Sequence, residues 1–403
     1  MPDREIIFLH GYGGGIGTYG ATPEMLRNEG YAVSNIHLGE YATGMDDVSM
    51  DDFAIELENA INERNIQKPF DIIIHSTGAL VVRAWISKYY SESEDFPIKN
   101  FIMGAPANNG SRLANWGKKM PWDWGNKVLE GLKLASGYTW DLGWDWIDKR
   151  YHEIDGFNMF HIQGTKNDLD LPGFIDWADD LFNIKIPVFE ERGSDNTVRV
   201  CAANPNMNGV KIGLDQKISD SEIKKIDGIP IYLFEDRSHF GEEHGILGAI
   251  KESDDEVYKT ILSILEGNPV EPTEISNYPE NINYLMINIK VCDQIGNIVE
   301  DFIPRFYFKE GARNPNLTIK HRVDNNGIHC YYLEFGDLAQ IKKFGFRIPR
   351  MKVGEVTYNR SNYIDLYWPE ENINFMEPYK THLIEIKVKK ELSDEAMVFT
   401  NPG

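Results

Sequence analysis

Basic charge is what this chain is short of. Against 63 aspartates and glutamates it sets 41 lysines and arginines, a formal net charge of −22 over 403 residues. That balance repels polyanions, which excludes nucleic acid and anionic membrane as partners held by bulk electrostatics. Cysteine is scarce as well: Cys201, Cys292 and Cys330 lie far apart, offering neither a disulfide framework nor a metal motif. The histidines are scattered, and no metal-ligand spacing emerges from them. No apolar run approaches the ~20 residues needed to span a bilayer. No Lys-Ser or Lys-Thr follows the glycines near the start, so a phosphate-binding P-loop is excluded. An apolar strand begins within a few residues of Met1, ahead of which no leader fits. The expectation is a cytoplasmic protein, with export by another route left open.

What is present centres on the stretch Asp71-Ile-Ile-Ile-His-Ser-Thr-Gly-Ala79. An apolar strand there stops on Ser76 and passes at once into an amphipathic segment, Leu80 to Tyr90. This is the pattern of a nucleophile elbow: a tight strand-to-helix turn lifts a hydroxyl clear of the sheet, and small residues behind it let the helix start without collision. Ile74 stands where the common G-x-S-x-G pattern has its first glycine, so a branched side chain crowds the turn and the following helix has to absorb it. Ser76 is the candidate nucleophile.

Near the start, Glu5-Ile-Ile-Phe-Leu9 reads as a buried strand running directly into His10-Gly11-Tyr12-Gly13-Gly14-Gly15. A flexible backbone at a strand end can point amides at a developing oxyanion. The backbone N–H groups of Tyr12 and of Thr77, the residue after the nucleophile, are assigned that task, with His10 bracing the loop and Gly11 freeing it. The glycines admit a second reading, because Gly15-Ile-Gly-Thr-Tyr-Gly20 fits G-x-G-x-x-G with Glu40 about 20 residues on, as in an NAD(P)-dependent oxidoreductase. That fingerprint needs its first glycine in the turn itself. Here it begins after the strand has ended, which makes the oxidoreductase the less favoured alternative.

Short apolar strands near 5–10, 31–37, 70–75, 99–104, 157–164 and 229–235 alternate with helical periodicity. That alternation specifies a mostly parallel sheet covered by helices on both faces. Ser49-Met-Asp-Asp52 is a capping box, followed by Phe53, Leu57, Ala60 and Ile61 on one helical face. The interval of about 112–156 interrupts the rhythm and holds Trp116, Trp122, Trp124, Trp140, Trp144 and Trp146, six of the nine tryptophans. Their rings suit either the rim of a cleft for acyl chains or a small satellite core. Residues 169–187, with Phe174, Trp177, Leu181 and Phe182, form a second candidate element of the same kind. Pro- and Asn-rich residues 269–281 read as a linker, closing a first domain at 1–268. Residues 282–403 change character to short alternating strands with turns, among them the hairpin signal Asp324-Asn-Asn-Gly327, and read as an all-β sandwich.

The His10-Gly11 turn, the Ser76 elbow and Gly104-Ala-Pro-Ala-Asn-Asn-Gly-Ser111 after a strand together resemble the α/β-hydrolase lipases and esterases of bacteria. The resemblance implies an α/β-hydrolase fold with the Trp-rich insertion as a cap, and a triad in the order Ser, acid, His. Its acid is Asp195, because Gly193-Ser-Asp-Asn-Thr-Val looks like the family's Ser-Asp-Gly-x-Val; Asp168, in the loop beyond the strand Phe160 to Gly164, is the alternative. Its base is His244, which looks like the family's His-x-Gly-Leu histidine ahead of a helical run from Ile246 to Leu265; His239, closer to the strand end, is the competitor. The activity implied is that of a serine carboxylester hydrolase, lipase or phospholipase-like. It would work through an acyl-enzyme on hydrophobic acyl esters, without cofactor or metal, and with peripheral lipid contact through the cap or the C-terminal domain. The non-enzyme alternative is a hydrolase-fold binding module whose elbow Ile74 has spoiled.

Overall fold

The computed structural model describes residues 4–12, 14–38, 48–91, 95–116, 127–166, 193–215, 223–275, 283–300, 305–308, 318–335, 343–347, 351–353, 356–358, 364–367 and 376–392. The chain divides into two compact units: Met1–Asn206 with Ile226–Glu274, and Met207–Lys225 with Ile275–Gly403.

The first unit is built on β1 (Glu5–Leu9), β2 (Ala32–Ile36), β3 (Phe70–His75), β4 (Ile98–Gly104) and β5 (Asn158–Gly164). The chain then contributes β6 (Met207–Ile212) and β7 (Ile223–Ile226) to the sheet of the second unit, and returns as β8 (Ile231–Phe234). The order in the first sheet is β2-β1-β3-β4-β5-β8, with every neighbouring pair parallel. Strands covered on both faces have no polar side, so they read as near-continuous apolar runs. β3 shows this most plainly, being buried at every position.

Helix α1 (Thr22–Asn28) follows β1, and α2 (Met50–Glu63) follows β2. Ser49 caps α2 as the capping-box pattern requires: its side chain accepts the N–H of Asp52, and Asp52 accepts the N–H of Ser49 at 2.7 Å. Phe53, Leu57 and Ile61 face inward from it. Helix α3 (Gly78–Tyr89) starts directly behind Ser76 and is buried from Gly78 through Ile86. A face of Glu256–Leu265 packs with Ile6, Phe8, Ile73 and Ile102 into one apolar core. That helix is shorter than the expected run from Ile246, and residues 246–249 are turns. Asp255 sets its start, because its carboxylate accepts the N–H groups of Val257 and Tyr258.

Between β4 and β5 lie the helices Arg112–Trp116, Lys127–Leu132 and Gly137–Lys149. Trp140, Trp144 and Trp146, on the last of these, are buried. Trp146 donates its indole N–H to the backbone oxygen of Arg83 at 3.3 Å, and the Arg83 guanidinium lies 5.0 Å from the ring centroid. Trp146 thus packs on α3, while Trp140 and Trp144 pair with each other at 6.1 Å between ring centroids, and buried rings of this kind fit the satellite-core reading. Trp122, Trp124, Asp168 and the whole of 169–187 lie outside the described residues.

The second unit contains β9 (Asn283–Asp293), β10 (Arg305–Phe308), β11 (Thr318–Asn325), β12 (Ile328–Phe335), β13 (Lys343–Arg347), β14 (Met351–Val353), β15 (Val356–Tyr358), β16 (Ile364–Tyr367), β17 (Thr381–Val388) and β18 (Lys390–Leu392). They form one six-stranded sheet, β11-β12-β9-β17-β6-β7, and two three-stranded ones, β10-β13-β16 and β14-β15-β18. The hairpin between β11 and β12 turns through Asn326 and Gly327, at φ 52° and 78°. Two successive left-handed residues are what a two-residue hairpin demands, and Asn-Gly supplies them at little cost. Residues 207–225 belong to this unit although they fall inside the expected first domain. β6 pairs with β17, a partner far along the chain whose pairing no local pattern announces.

Candidate active site

Ser76 follows the last residue of β3 and has φ 52°. A non-glycine residue in the left-handed region stores strain, and such outliers gather where a side chain must be held in a fixed direction. The turn is pinned on both sides: Ser76 N–H donates to Gly104 O at 3.0 Å, and its own carbonyl accepts from Ala79 at 3.1 Å and Ala107 at 3.2 Å. Ile74 is accommodated because Gly78 faces it. A Cβ at 78 would stand 2.9 Å from Leu9 O and 3.2 Å from the Ile74 Cβ. The glycine usually found two residues before the serine is thus replaced by room two residues after it.

Ser76 Oγ lies 3.0 Å from Nε2 of His239, and Nδ1 of His239 lies 2.7 Å from Oδ2 of Asp195. All three residues are buried. The carboxylate can only accept from Nδ1–H, which leaves Nε2 as the lone pair facing the serine hydroxyl. Hydroxyl, imidazole and carboxylate thus stand in the sequence that general-base activation of an alcohol requires. Asp195 is fixed by its own loop: Oδ1 accepts the N–H groups of Thr197 at 3.1 Å and Val198 at 2.7 Å. Gln163 of β5 donates to Oδ2 at 2.6 Å.

The histidine at the serine is His239, and the expectation of His244 is corrected. Backbone bonds decide the matter. His239 N–H donates to Asp195 O at 3.2 Å, which brings its ring beside the acid. Ser238 N–H donates to His244 O at 2.8 Å, and Ile246 N–H to Ser238 O at 2.8 Å, so the chain doubles back between the two histidines. His244 sits half-buried on the return limb. The helix that was to follow it starts only at Glu256.

His75 does not bond Ser76 beside it. Its Nε2–H donates to His239 O at 3.0 Å, and the two ring centroids are 4.8 Å apart. Burial first, and then the neighbouring His239, hold the His75 imidazole well below the usual histidine range, so it is neutral. His10 bonds Gly11 O from Nδ1 at 2.9 Å, a contact within the loop after β1, and burial lowers its pKa also. Gly11 abuts Ser76: a Cβ there would lie 2.8 Å from both His75 O and Ser76 Cβ, and 3.3 Å from Thr77 N. The loop carrying Tyr12 therefore passes beside Thr77.

Of Gly15, Gly17 and Gly20, the three glycines of the alternative fingerprint, only Gly20 is closely packed. Residues Ile16–Tyr19 form a 3-10 turn rather than the start of a helix, and at Gly20 a Cβ would stand 2.3 Å from Ile250 O. Among the described residues no group of three or more His, Cys, Asp or Glu is placed to hold a metal ion, and no helix is long and apolar enough to cross a membrane. His75, excluded as a rival base because the residue before Ser76 faces away from it, is indeed not bonded to Ser76; what the sequence does not show is its contact with His239 and the place of Gln163, both at C-terminal ends of parallel strands.

No protein-family model matches the chain, and no curated protein matches it either. Among solved structures it is similar to the phospholipase PlaB from Legionella pneumophila, alone and in complex with thio-NAD. Each matches at 22% identity and TM-score 0.76, covering 99% of this chain and 96% of that one. A lipase from Bacillus licheniformis, BlEst2 in mature form, matches over 50% of this chain at 17% identity and TM-score 0.34. The fold is that of an α/β-hydrolase core with a separate β-rich region added.

Proposed function

We propose that this chain is a serine hydrolase that cleaves carboxylic esters of hydrophobic acyl groups, as a lipase or phospholipase does. The observation that carries the reading is the unbroken line of hydrogen-bonding contacts from Ser76 Oγ through His239 to Asp195, at 3.0 Å and 2.7 Å, with the serine on a left-handed elbow. Attack of Ser76 Oγ on the ester carbonyl passes the hydroxyl proton to His239 Nε2, and Asp195 stabilises the imidazolium. Collapse of the tetrahedral intermediate returns that proton to the leaving alcohol. Water, activated by the same imidazole, then releases the acid and restores the serine. The N–H groups of Tyr12 and Thr77 are the proposed oxyanion donors, each worth ~3 kcal/mol.

The preference for a lipid-like ester rests on the fold shared with a phospholipase along nearly the whole chain. Peripheral contact of the cap or the β-rich unit with a lipid surface, and a place of work in the cytoplasm, belong to the same proposal. The binding-module alternative loses its ground, since Gly78 gives Ile74 the room it needs.

A fluorophosphonate probe tests the reading. Stoichiometric labelling of Ser76, abolished in Ser76→Ala, is the expected result. A folded wild-type protein that neither labels nor hydrolyses nitrophenyl esters or zwitterionic phosphatidylcholine vesicles would overturn it. Rates across nitrophenyl esters of rising acyl length should climb from the two-carbon to the longer chains.

A further inference from the structure

The carboxylate of the proposed triad has a second buried partner behind it. His161 and Gln163 are two residues apart on β5, so their side chains share one face of the sheet. Both are fully buried. Gln163 Nε2 donates to Asp195 Oδ2 at 2.6 Å, the oxygen that also faces His239 Nδ1 at 2.7 Å. Gln163 Oε1 in turn faces His161 Nε2 at 3.2 Å.

Chemistry fixes the direction of this chain of bonds. An amide oxygen cannot face a carboxylate oxygen at hydrogen-bond distance without repulsion, so the NH2 end of Gln163 points at Asp195. Its oxygen then needs a donor, which is His161 Nε2–H. The other ring nitrogen, His161 Nδ1, is buried and unpartnered, so a proton placed there would be buried without an acceptor while the bond to Gln163 was lost. Burial pushes the His161 pKa down to about 4, which keeps the ring neutral through the neutral range.

We propose that Gln163, oriented by His161, is a positioning residue for the Asp195–His239 pair. This deepens the hydrolase reading and rests on it. With Thr197 and Val198 holding Oδ1, the Gln163 amide closes the remaining freedom of Oδ2 and draws off part of its charge. The carboxylate then stays aimed at Nδ1 without over-stabilising the imidazolium. Without the amide, Oδ2 carries more charge toward His239 and can swing.

The test compares wild type, Gln163→Leu and His161→Phe on a short-chain nitrophenyl ester, with fluorophosphonate inactivation measured alongside. Gln163→Leu should lower kcat by about 10-fold with KM little changed, and move the acidic limb of the kcat profile upward by about half a pH unit. His161→Phe should move both in the same direction by about a third as much. Folded Gln163→Leu and His161→Phe proteins with the wild-type profile and inactivation rate would overturn the proposal. A structural role alone would lower the yield of active protein and leave the profile of the remainder in place. The low-field Nδ1–H resonance of His239 in histidine-labelled protein gives a readout without turnover. If wild type proves inert toward esters and the probe, the hydrolase reading fails, while movement of this resonance in Gln163→Leu still supports the brace. A resonance that does not move overturns it. Should Gln163→Leu fail to fold, His161→Phe carries the same two readouts.

Discussion

The central sheet of the first unit holds a buried carboxylate at each end, and the two have opposite uses. At the N-terminal end Asp71 of β3 accepts from Asn100 at 2.8 Å and pairs with Arg4 at 3.3 Å, and Asn158 donates to Asn100 at 3.1 Å. At the C-terminal end Asp195 accepts from Gln163 and two backbone amides, and pairs with His239. In both places a strand amide steadies a carboxylate that faces a basic group. What differs is the far end of the line. The Asp71 network ends on a guanidinium that is always charged and has no reactive neighbour. The Asp195 network ends on an imidazole that can take and return a proton, and beyond it on a serine held at positive φ. A buried carboxylate with satisfied hydrogen bonds is thus architecture, and chemistry enters only with an imidazole relay and a hydroxyl donor held on a strained turn beyond it.

The largest effect that could break this comparison lies in the histidines. His239→Ala should lower kcat by roughly 10^5-fold, as loss of a base acting in one unit with its serine does, whereas His244→Ala should stay within about threefold. Ester turnover of the two variants measures this, and equal losses would sink the assignment. The carboxylates come next. Asp195→Asn should cost about 10^4-fold in kcat, because the amide presents the wrong hydrogen-bonding pattern to Nδ1. Asp71→Asn should leave kcat within about twofold and stability within about 1 kcal/mol. An asparagine there can still accept from Asn100, and Arg4 is exposed enough, at 27%, to turn to water.

Both carboxylates were unequally legible in the sequence. The six strands could be read because parallel strands covered on both faces are runs such as Phe70–His75, and Ser76 because it ends such a run ahead of small residues. Asp195 stood out by its flanking residues, not by any property of an aspartate in so acidic a chain. The histidine standing beside Ser76 was misread as His244 because His239 and His244 share one loop, and what separates them is a pair of backbone bonds at Ser238 that leaves no compositional trace. Nothing local marks β6 as part of the other unit, since its partner β17 lies far along the chain. The contact of His75 with His239 and the place of Gln163 were illegible for a related reason: each joins residues distant in sequence.

Acid should separate the two ends of the sheet by sign. His75 and His161 are buried neutral, with pKa values pushed below the ordinary 6.5 by burial, that of His161 to about 4. Between 6.5 and that value the unfolded chain binds more protons than the folded one. Stability conferred above pH 6.5 is therefore lost as pH falls, by up to about 3 kcal/mol for His161. Asp71 is shifted the other way: burial raises its pKa above 3.8 despite Arg4. Its folded form binds the extra proton, so acidification through its pKa regains stability that is lost as pH rises. Urea melts of Ser76→Ala protein from pH 7 to 4 should show a fall in stability. That fall should be shallower in His161→Leu and steeper in Asp71→Asn. A fall of the same slope in all three would show that neither end contributes as described.

The smallest contrast lies between two glycines after β1, Gly11 beside Ser76 and Gly17 in the 3-10 turn Ile16–Tyr19. A Cβ at Gly11 would stand 2.8 Å from His75 O and from Ser76 Cβ, whereas at Gly17 it would meet nothing within 4 Å. Real side chains do not tolerate the first approach, and neither the carbonyl of β3 nor the nucleophile can rotate away, so the loop itself must shift. Displacing it moves any donor at Tyr12 relative to Thr77, and a shift of about 1 Å at a reacting centre costs about 10^2-fold. Gly11→Ala should therefore lose about that factor in kcat with KM little changed, while Gly17→Ala stays within twofold. Because the loop enters the chemistry only through the oxyanion, fluorophosphonate labelling of Gly11→Ala should slow in step with kcat. If labelling keeps its wild-type rate while ester turnover falls, the lost function lies in substrate access and the amide assignment must be abandoned.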